Sequence, residues 1–156
     1  MVSTDVNTEP TSETASTLGV DMALEAVTLP VSDVDRAKNF YQSLGWRLDA
    51  DIANGEDFRV VQFTPPHSPC SIHFGKGLTA AAPGSADRIL LVVKDIDAAR
   101  ADLTNRGVEV TDVQDTRPAG TDSRSYFEYA SFKDPDGNGW LLQEITTRFP
   151  GRVWED

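Results

Sequence analysis

Residues 31–37 read Val-Ser-Asp-Val-Asp-Arg-Ala, and residues 93–99 read Val-Lys-Asp-Ile-Asp-Ala-Ala. The two phrases stand 62 residues apart, and that single shift carries their surroundings too. It places Val27 on Ile89, Leu29 on Leu91, Tyr41 on Leu103, Gly45 on Gly107 and Trp46 on Val108. In the first copy an apolar, β-prone run (24–31) leads into Ser32 or Asp33, either of which caps a helix because its side-chain oxygen accepts an orphan amide. Val34, Ala37, Phe40, Tyr41 and Leu44 then recur at three- and four-residue steps, which makes one apolar stripe. Gly45 ends the helix, as a residue suited to positive φ does. Strand, cap, stripe and stop repeating at one constant shift predict an internal duplication.

Each copy continues with strand material. In the first, 58–64 and 70–75 flank the proline-broken loop Pro65-Pro66-His67-Ser68-Pro69; in the second, 126–132 and 139–145 flank Asp134-Pro135-Asp136-Gly137-Asn138. Asp-Pro and Asp-Gly-Asn form turns, so the second pair reads as a hairpin. The expected unit is strand, helix and three strands, occupying about 23–78 and again about 86–146, within one α+β domain spanning 21–147. The second copy has an additional polar loop over 112–125.

Two segments fall outside this pattern. Residues 1–20 are rich in Ser, Thr, Asp and Glu and hold no aromatic, so they are expected to form a disordered acidic tail. Residues 148–156 read as a C-terminal extension anchored by Phe149 and Trp154.

Composition narrows the function. The 156 residues include 25 Asp and Glu against 14 Lys and Arg, a formal net charge of −11. The tail contributes Asp5, Glu9 and Glu13 and no base, so the remaining chain keeps −8 of that charge. Nucleic-acid binding needs a basic footprint to displace counterions, and none exists here. A cationic or neutral small molecule, or another protein, is the easier partner. A single cysteine, Cys70, excludes an internal disulfide and a cysteine-based zinc cluster, and reads most simply as a small core hydrophobe. No apolar run approaches the roughly 20 residues that span a bilayer, and no basic patch precedes an apolar stretch at the N-terminus. The expected compartment is the cytoplasm, with no membrane contact.

The duplicated unit, the Val-x-Asp-x-Asp at each helix start, Phe40-Tyr41 before Leu44-Gly45, and Asp-Pro-Asp-Gly-Asn before the last strand resemble the vicinal oxygen chelate superfamily. That group contains glyoxalase I, the extradiol dioxygenases and the bleomycin-resistance proteins. The resemblance covers about residues 24–145, and the run 134–152 is similar to a branch known only as glyoxalase-like. It implies two βαβββ modules curled into a cupped mixed sheet, with helices outside and a ligand cavity inside. It also implies a homodimer. One fold hosts many chemistries, so the reaction is not implied.

Alternation along the strands sorts side chains between the helix face and the cup. Val27, Leu29, Ile72, Phe74, Ile89, Leu91, Trp140 and Leu142 are expected against the helices. Ala26, Thr28, Ser71, His73, Arg88, Leu90, Leu141 and Gln143 are expected in the cup. Metal-dependent members of the superfamily take one ligand from the first strand and one from the last strand of each module. The resemblance maps these onto Ala26, His73, Arg88 and Leu141. Alanine and leucine have no donor, and a permanently protonated guanidinium does not ligate a cation. Neither a metal nor another cofactor is therefore expected.

Arg88 reads as a fixed cation for a carboxylate, phosphate or enolate of a ligand, or as half of an internal ion pair with a residue such as Glu128. His73 reads as a general base or a ligand donor, or as a satisfied structural histidine. Phe58, Gln62, Tyr129 and Gln143 are the further candidate ligand contacts. Two functions stay open. One is a binding protein of the bleomycin-resistance kind without the metal. The other is a lyase, isomerase or dioxygenase in which His73 moves a proton and Arg88 holds an oxyanion, or in which a metal is held by ligands outside the mapped set, such as Glu25, Gln143 or Glu144 after a small shift of register.

Overall fold

A computed structural model describes residues 19–149. The elements run β1 (Ala26–Thr28), α1 (Val34–Ser43), β2 (Arg47–Asn54), β3 (Phe58–Thr64), β4 (Ser71–Lys76), β5 (Ile89–Val93), α2 (Ile96–Asn105), β6 (Gln114–Asp115), β7 (Glu128–Lys133) and β8 (Gly139–Glu144). They form two four-stranded mixed sheets, ordered β1-β4-β3-β2 and β5-β8-β7-β6. In each, the first strand pairs in parallel with the last, and the other contacts are antiparallel. The α+β class and the duplication are as the sequence predicts.

Local chemistry explains the helices. Asp33 and Asp95, not Ser32, are the N-caps, and their carboxylates accept the amides of Arg36 and Ala98 at 3.0 Å each. Gly45 closes the α1 end at φ 80° and Gly107 the α2 end at φ 88°, a region that costs a side-chain-bearing residue energy. The copies differ at their outer strands. β2 has 8 residues and β6 only 2, because the polar stretch 112–125 has no apolar alternation with which to extend a strand.

The helix faces of both sheets converge on one core. Val61, Phe63, Ile72 and Phe74 of the first sheet and Ala130, Phe132, Trp140 and Leu142 of the second belong to the same buried cluster. Tyr41 of α1 joins them, with ring centroids 5.5 Å from Phe74, 6.3 Å from Phe63 and 6.1 Å from Trp140. Its hydroxyl donates to Asp134 Oδ2 at 2.9 Å and accepts from Trp140 Nε1 at 3.0 Å. Burial and the Asp134 carboxylate raise the phenol well above its ordinary pKa, so it stays a donor.

The Asp-Pro-Asp-Gly-Asn turn fastens the second module onto the first. Asp136 Oδ1 accepts from Ser32 N at 3.1 Å and Ser32 Oγ at 2.5 Å, with Arg36 Nη2 at 3.2 Å. Asn138 Nδ2 donates to Pro30 O at 2.9 Å and to Asp134 Oδ2 at 2.8 Å.

On the helix side of the second sheet, Glu128 and Glu144 are both buried carboxylates on neighbouring strands. Arg124, from the long loop, hydrogen-bonds Glu128 and lies 3.6 Å from Glu144, and its Nη2 reaches Asp97 at 3.1 Å. Hydrogen bonds to Glu128 and Asp97 raise its pKa further. The counterpart patch on the first sheet is Asp51, which Arg59 and Lys38 hold well below the usual carboxylate range.

Residues 1–18 and 150–156 lie outside the described residues, and with them most of the expected tail and the Trp154 anchor. Phe149 does anchor the end of the described chain, stacking on Tyr126 at 4.2 Å.

Candidate functional site

With the helix faces turned to a shared core, the opposite faces of the two sheets point away from it. Register fixes which side chains they carry. Thr28, His73 and Gln62 are successive neighbours across β1, β4 and β3. His73 Nε2 and Thr28 Oγ1 are 2.8 Å apart. One row along, Ser71 Oγ lies 2.6 Å from Thr64 Oγ1, which also bonds Asp49. Burial opposes ionisation of Asp49, yet hydrogen bonds from Arg47, Thr64 and Gln62 hold its pKa below the usual range. Phe58 stands on the same face at the far end of β3, 39% exposed.

The second sheet carries Val92, Gln143 and Tyr129 in one row and Leu90, Leu141 and Ser131 in the next. Gln143 is buried, and its Nε2 donates to Tyr129 Oη at 2.8 Å and Tyr126 O at 3.0 Å. The structure therefore brings His73 together with Gln62, and Tyr129 together with Gln143, on different sheets.

Arg88 departs from the expectation. Strand alternation placed it inside the cup, but it precedes β5, adopts φ 56° and is exposed. The left-handed backbone breaks the pleat that the parity argument assumed. It forms no ion pair with Glu128, which Arg124 serves instead. No hydrogen bond joins it to His73. Because no hydrogen bond or ion pair among the described residues holds the side chain and glycine prefers this backbone, Arg88→Gly is expected to leave Tm within about 2 °C of the parent or raise it. Differential scanning fluorimetry checks this; a loss of more than about 5 °C would assign Arg88 a contact it does not make.

The metal positions can be tested on the register. Ala26 pairs with Ser71, while the neighbour of His73 is Thr28; in the second sheet Leu90 pairs with Leu141. By either assignment the set contains one imidazole. Among the described residues no three His, Cys, Asp or Glu side chains are placed to hold a metal ion. The superfamily's divalent ion does not fit this donor set.

A sizeable concavity lies elsewhere. A groove of about 1070 Å³ runs between the outer edges of β1 and β5, lined on the apolar side by Val27, Ile72, Ile89, Leu91 and Trp140. Loop 65–70, Leu24, Ser71, Leu90, Val92, Lys94 and Arg148 also line it. None of Phe58, Gln62, His73, Arg88, Tyr129 and Gln143 lines it. Sequence reasoning took loop 65–69 for a mere break and Cys70 for a core residue. Cys70 is half-buried in this groove, where burial and the Glu25 charge raise its thiol pKa.

These features define a two-module βαβββ protein with a groove at the module junction. Its sequence matches the profile of the Glyoxalase/Bleomycin resistance protein/Dioxygenase superfamily over residues 23–142, and the chain belongs to that superfamily. Among solved structures it is similar to TnmS3, an antibiotic binding protein from Streptomyces sp. CB03234. The two share 29% identity and a TM-score of 0.66, over 82% of this chain and 99% of that one. A glyoxalase/bleomycin resistance protein from the same strain is 32% identical with a TM-score of 0.61, over 78% of this chain and 99% of the other. A superfamily member from Sphaerobacter thermophilus DSM 20745 is 30% identical with a TM-score of 0.64, over 80% and 98%. No protein of curated function matches. No helix among the described residues is long and apolar enough to cross a membrane.

Proposed function

We propose that this protein binds a small molecule at the junction of its two modules without a divalent metal, and that it sequesters the ligand and does not transform it. The carrying observation is the groove. Its volume of about 1070 Å³ suits a drug-sized ligand, and its walls are largely apolar with a few polar groups, the usual character of such sites. The likeness to an antibiotic binding protein supports an antibiotic-like ligand. His73 is hydrogen-bonded to Thr28 and no described hydrogen bond joins it to Arg88, which favours binding over catalysis.

In this reading the protein is a cytoplasmic homodimer. Leu90, at 49% exposed, and Phe58 and Ile52 stand on sheet faces that a second copy would cover. His73 with Gln62 from one copy, and Tyr129 with Gln143 from the other, would then supply polar contacts beside the groove.

A panel of antibiotic natural products followed by thermal shift tests the reading. At least one is expected to raise Tm by several degrees in proportion to its concentration, equally with and without EDTA. Leu90→Ala, which shortens an exposed side chain of the groove lining, is expected to weaken that ligand about tenfold. Stabilisation that disappears on chelation, or one tightly held transition metal per chain by elemental mass spectrometry, would overturn the metal-free reading.

A further inference from the structure

We infer that the loop wall of the groove, residues 65–71, meets a ligand as a hydrogen-bond acceptor, and that Ser71 is the seat, so that the ligand lies with a hydroxyl, amine or amide N–H turned toward the Ser71 oxygen. This rests on the groove being the ligand site and adds which groups of the ligand face which wall.

A hydroxyl or thiol carries one proton, so a group that spends it inward can only accept from outside. The count starts at Asp49 on β2. Its side chain is 17% exposed, and Arg47 Nε donates to its Oδ1 at 2.5 Å. Hydrogen bonds from Arg47, Thr64 and Gln62 keep it ionised, and a carboxylate has no proton to give. Thr64 therefore donates to Asp49 Oδ2, which uses its single proton. Ser71 Oγ lies 2.6 Å from the same Thr64 oxygen. With the Thr64 proton already placed, that contact is a hydrogen bond only if Ser71 donates it. Ser71, which lines the groove, is left with no proton and with lone pairs that no described hydrogen bond fills.

The rest of the wall keeps the same account. Ser68 Oγ donates to Cys70 O at 2.6 Å and accepts from Cys70 N at 3.2 Å. Burial and the Glu25 charge keep Cys70 a thiol, and its Sγ donates to Ser71 O at 3.6 Å. Pro65, Pro66 and Pro69 have no amide proton. The amide of Ser68 goes to Pro65 O at 3.0 Å and that of Ser71 to Glu25 O at 2.8 Å. His67 is the one residue of this wall whose protons these bonds do not account for. Ser71 is 7% exposed, so water replaces a missing partner there poorly. A ligand carbonyl or ether set against it brings oxygen to oxygen and leaves both unpaired, whereas a ligand donor fills the vacant lone pair.

9-Fluorenol and 9-fluorenone test this by isothermal titration of the full chain. They share a tricyclic frame; the first can donate and the second can only accept. Fluorenol is expected to bind about tenfold tighter. Ser71→Ala should bring the two within about twofold by weakening fluorenol. Thr64→Val has the same shape but lacks the oxygen that takes the Ser71 proton. The freed Ser71 hydroxyl then donates outward, so fluorenone is expected to tighten about fivefold while fluorenol stays within about twofold. A merely steric role for Ser71 would not produce that gain. Equal or tighter binding of fluorenone by the parent, or a preference that survives Ser71→Ala, overturns the assignment while leaving a binding groove. Failure of both to bind overturns the groove as a ligand site. Neutron diffraction from deuterated crystals reads the polarity without any ligand. It is expected to place one deuteron on Ser71 toward Thr64 and one on Thr64 toward Asp49; a Ser71 deuteron aimed into the groove overturns the inference.

Discussion

Asp134→Ala is expected to cost about 3–5 kcal/mol of folding stability, a large share of the roughly 5–15 kcal/mol typical of a domain. The carboxylate is buried and accepts four hydrogen bonds. Its Oδ1 takes the amides of Asp136 at 3.0 Å and Asn138 at 2.9 Å; its Oδ2 takes Tyr41 Oη at 2.9 Å and Asn138 Nδ2 at 2.8 Å. Alanine strands these donors where water does not reach, and each buried orphan costs about 1–3 kcal/mol. The loss also frees the turn that holds Ser32, so both modules feel it. Tyr41→Phe removes only one donor and should cost about 1–2 kcal/mol, because Trp140 Nε1 then loses its acceptor. Guanidinium unfolding of the two variants against the parent checks the order. An Asp134→Ala loss below about 1 kcal/mol would show that the network is not what joins the modules.

Trp140→Ala is the second large effect, at about 3–5 kcal/mol. The indole is 2% exposed, stacks on Phe132 at 6.1 Å and meets Trp46 edge-on at 5.1 Å. Its deletion leaves a cavity that rigid strands on both sides cannot collapse into. Trp140 also borders the groove, so the cavity would be continuous with it. Trp140→Phe keeps most of the volume and is expected to cost about 1–2 kcal/mol, which provides a folded variant in which to measure ligand affinity. A smaller loss for alanine than for phenylalanine would contradict the packing argument.

The fold was legible because it rests on local signals that occur twice. The caps Asp33 and Asp95, the glycine stops and the Asp-Gly-Asn turn each state a backbone conformation in the residues themselves. Period-two alternation also sorted Ile72, Phe74, Trp140 and Leu142 correctly onto the helix face. The site was less legible because it depends on departures from those rules. Arg88 was assigned by continuing the strand's parity one residue too far, into a position where the backbone turns left-handed. The bond from Tyr41 to Asp134 spans 93 residues, and an apolar stripe gives no sign that one member carries a hydroxyl with a distant carboxylate. The groove had a signal that went unused. Pro-Pro-His-Ser-Pro-Cys in the place of Asp-Pro-Asp-Gly-Asn means that one copy of the turn has lost its latching groups. That comparison needs the loops aligned through strand register, which composition does not provide.

The arrangement around Arg124 bears on how this chain can change over generations. Surface loops usually tolerate added or deleted residues, since their backbone makes few demands on the rest of the molecule. The loop before β7 is different, for its guanidinium reaches inward to two desolvated glutamates and across to Asp97. A length change that draws Arg124 away would leave neighbouring like charges facing each other under the helix, and no second cation is at hand for Glu144 among the described contacts. Lineages descended from this sequence should therefore vary freely in residues 116–123 while holding the spacing from Arg124 to Glu128 constant, or lose all three residues together.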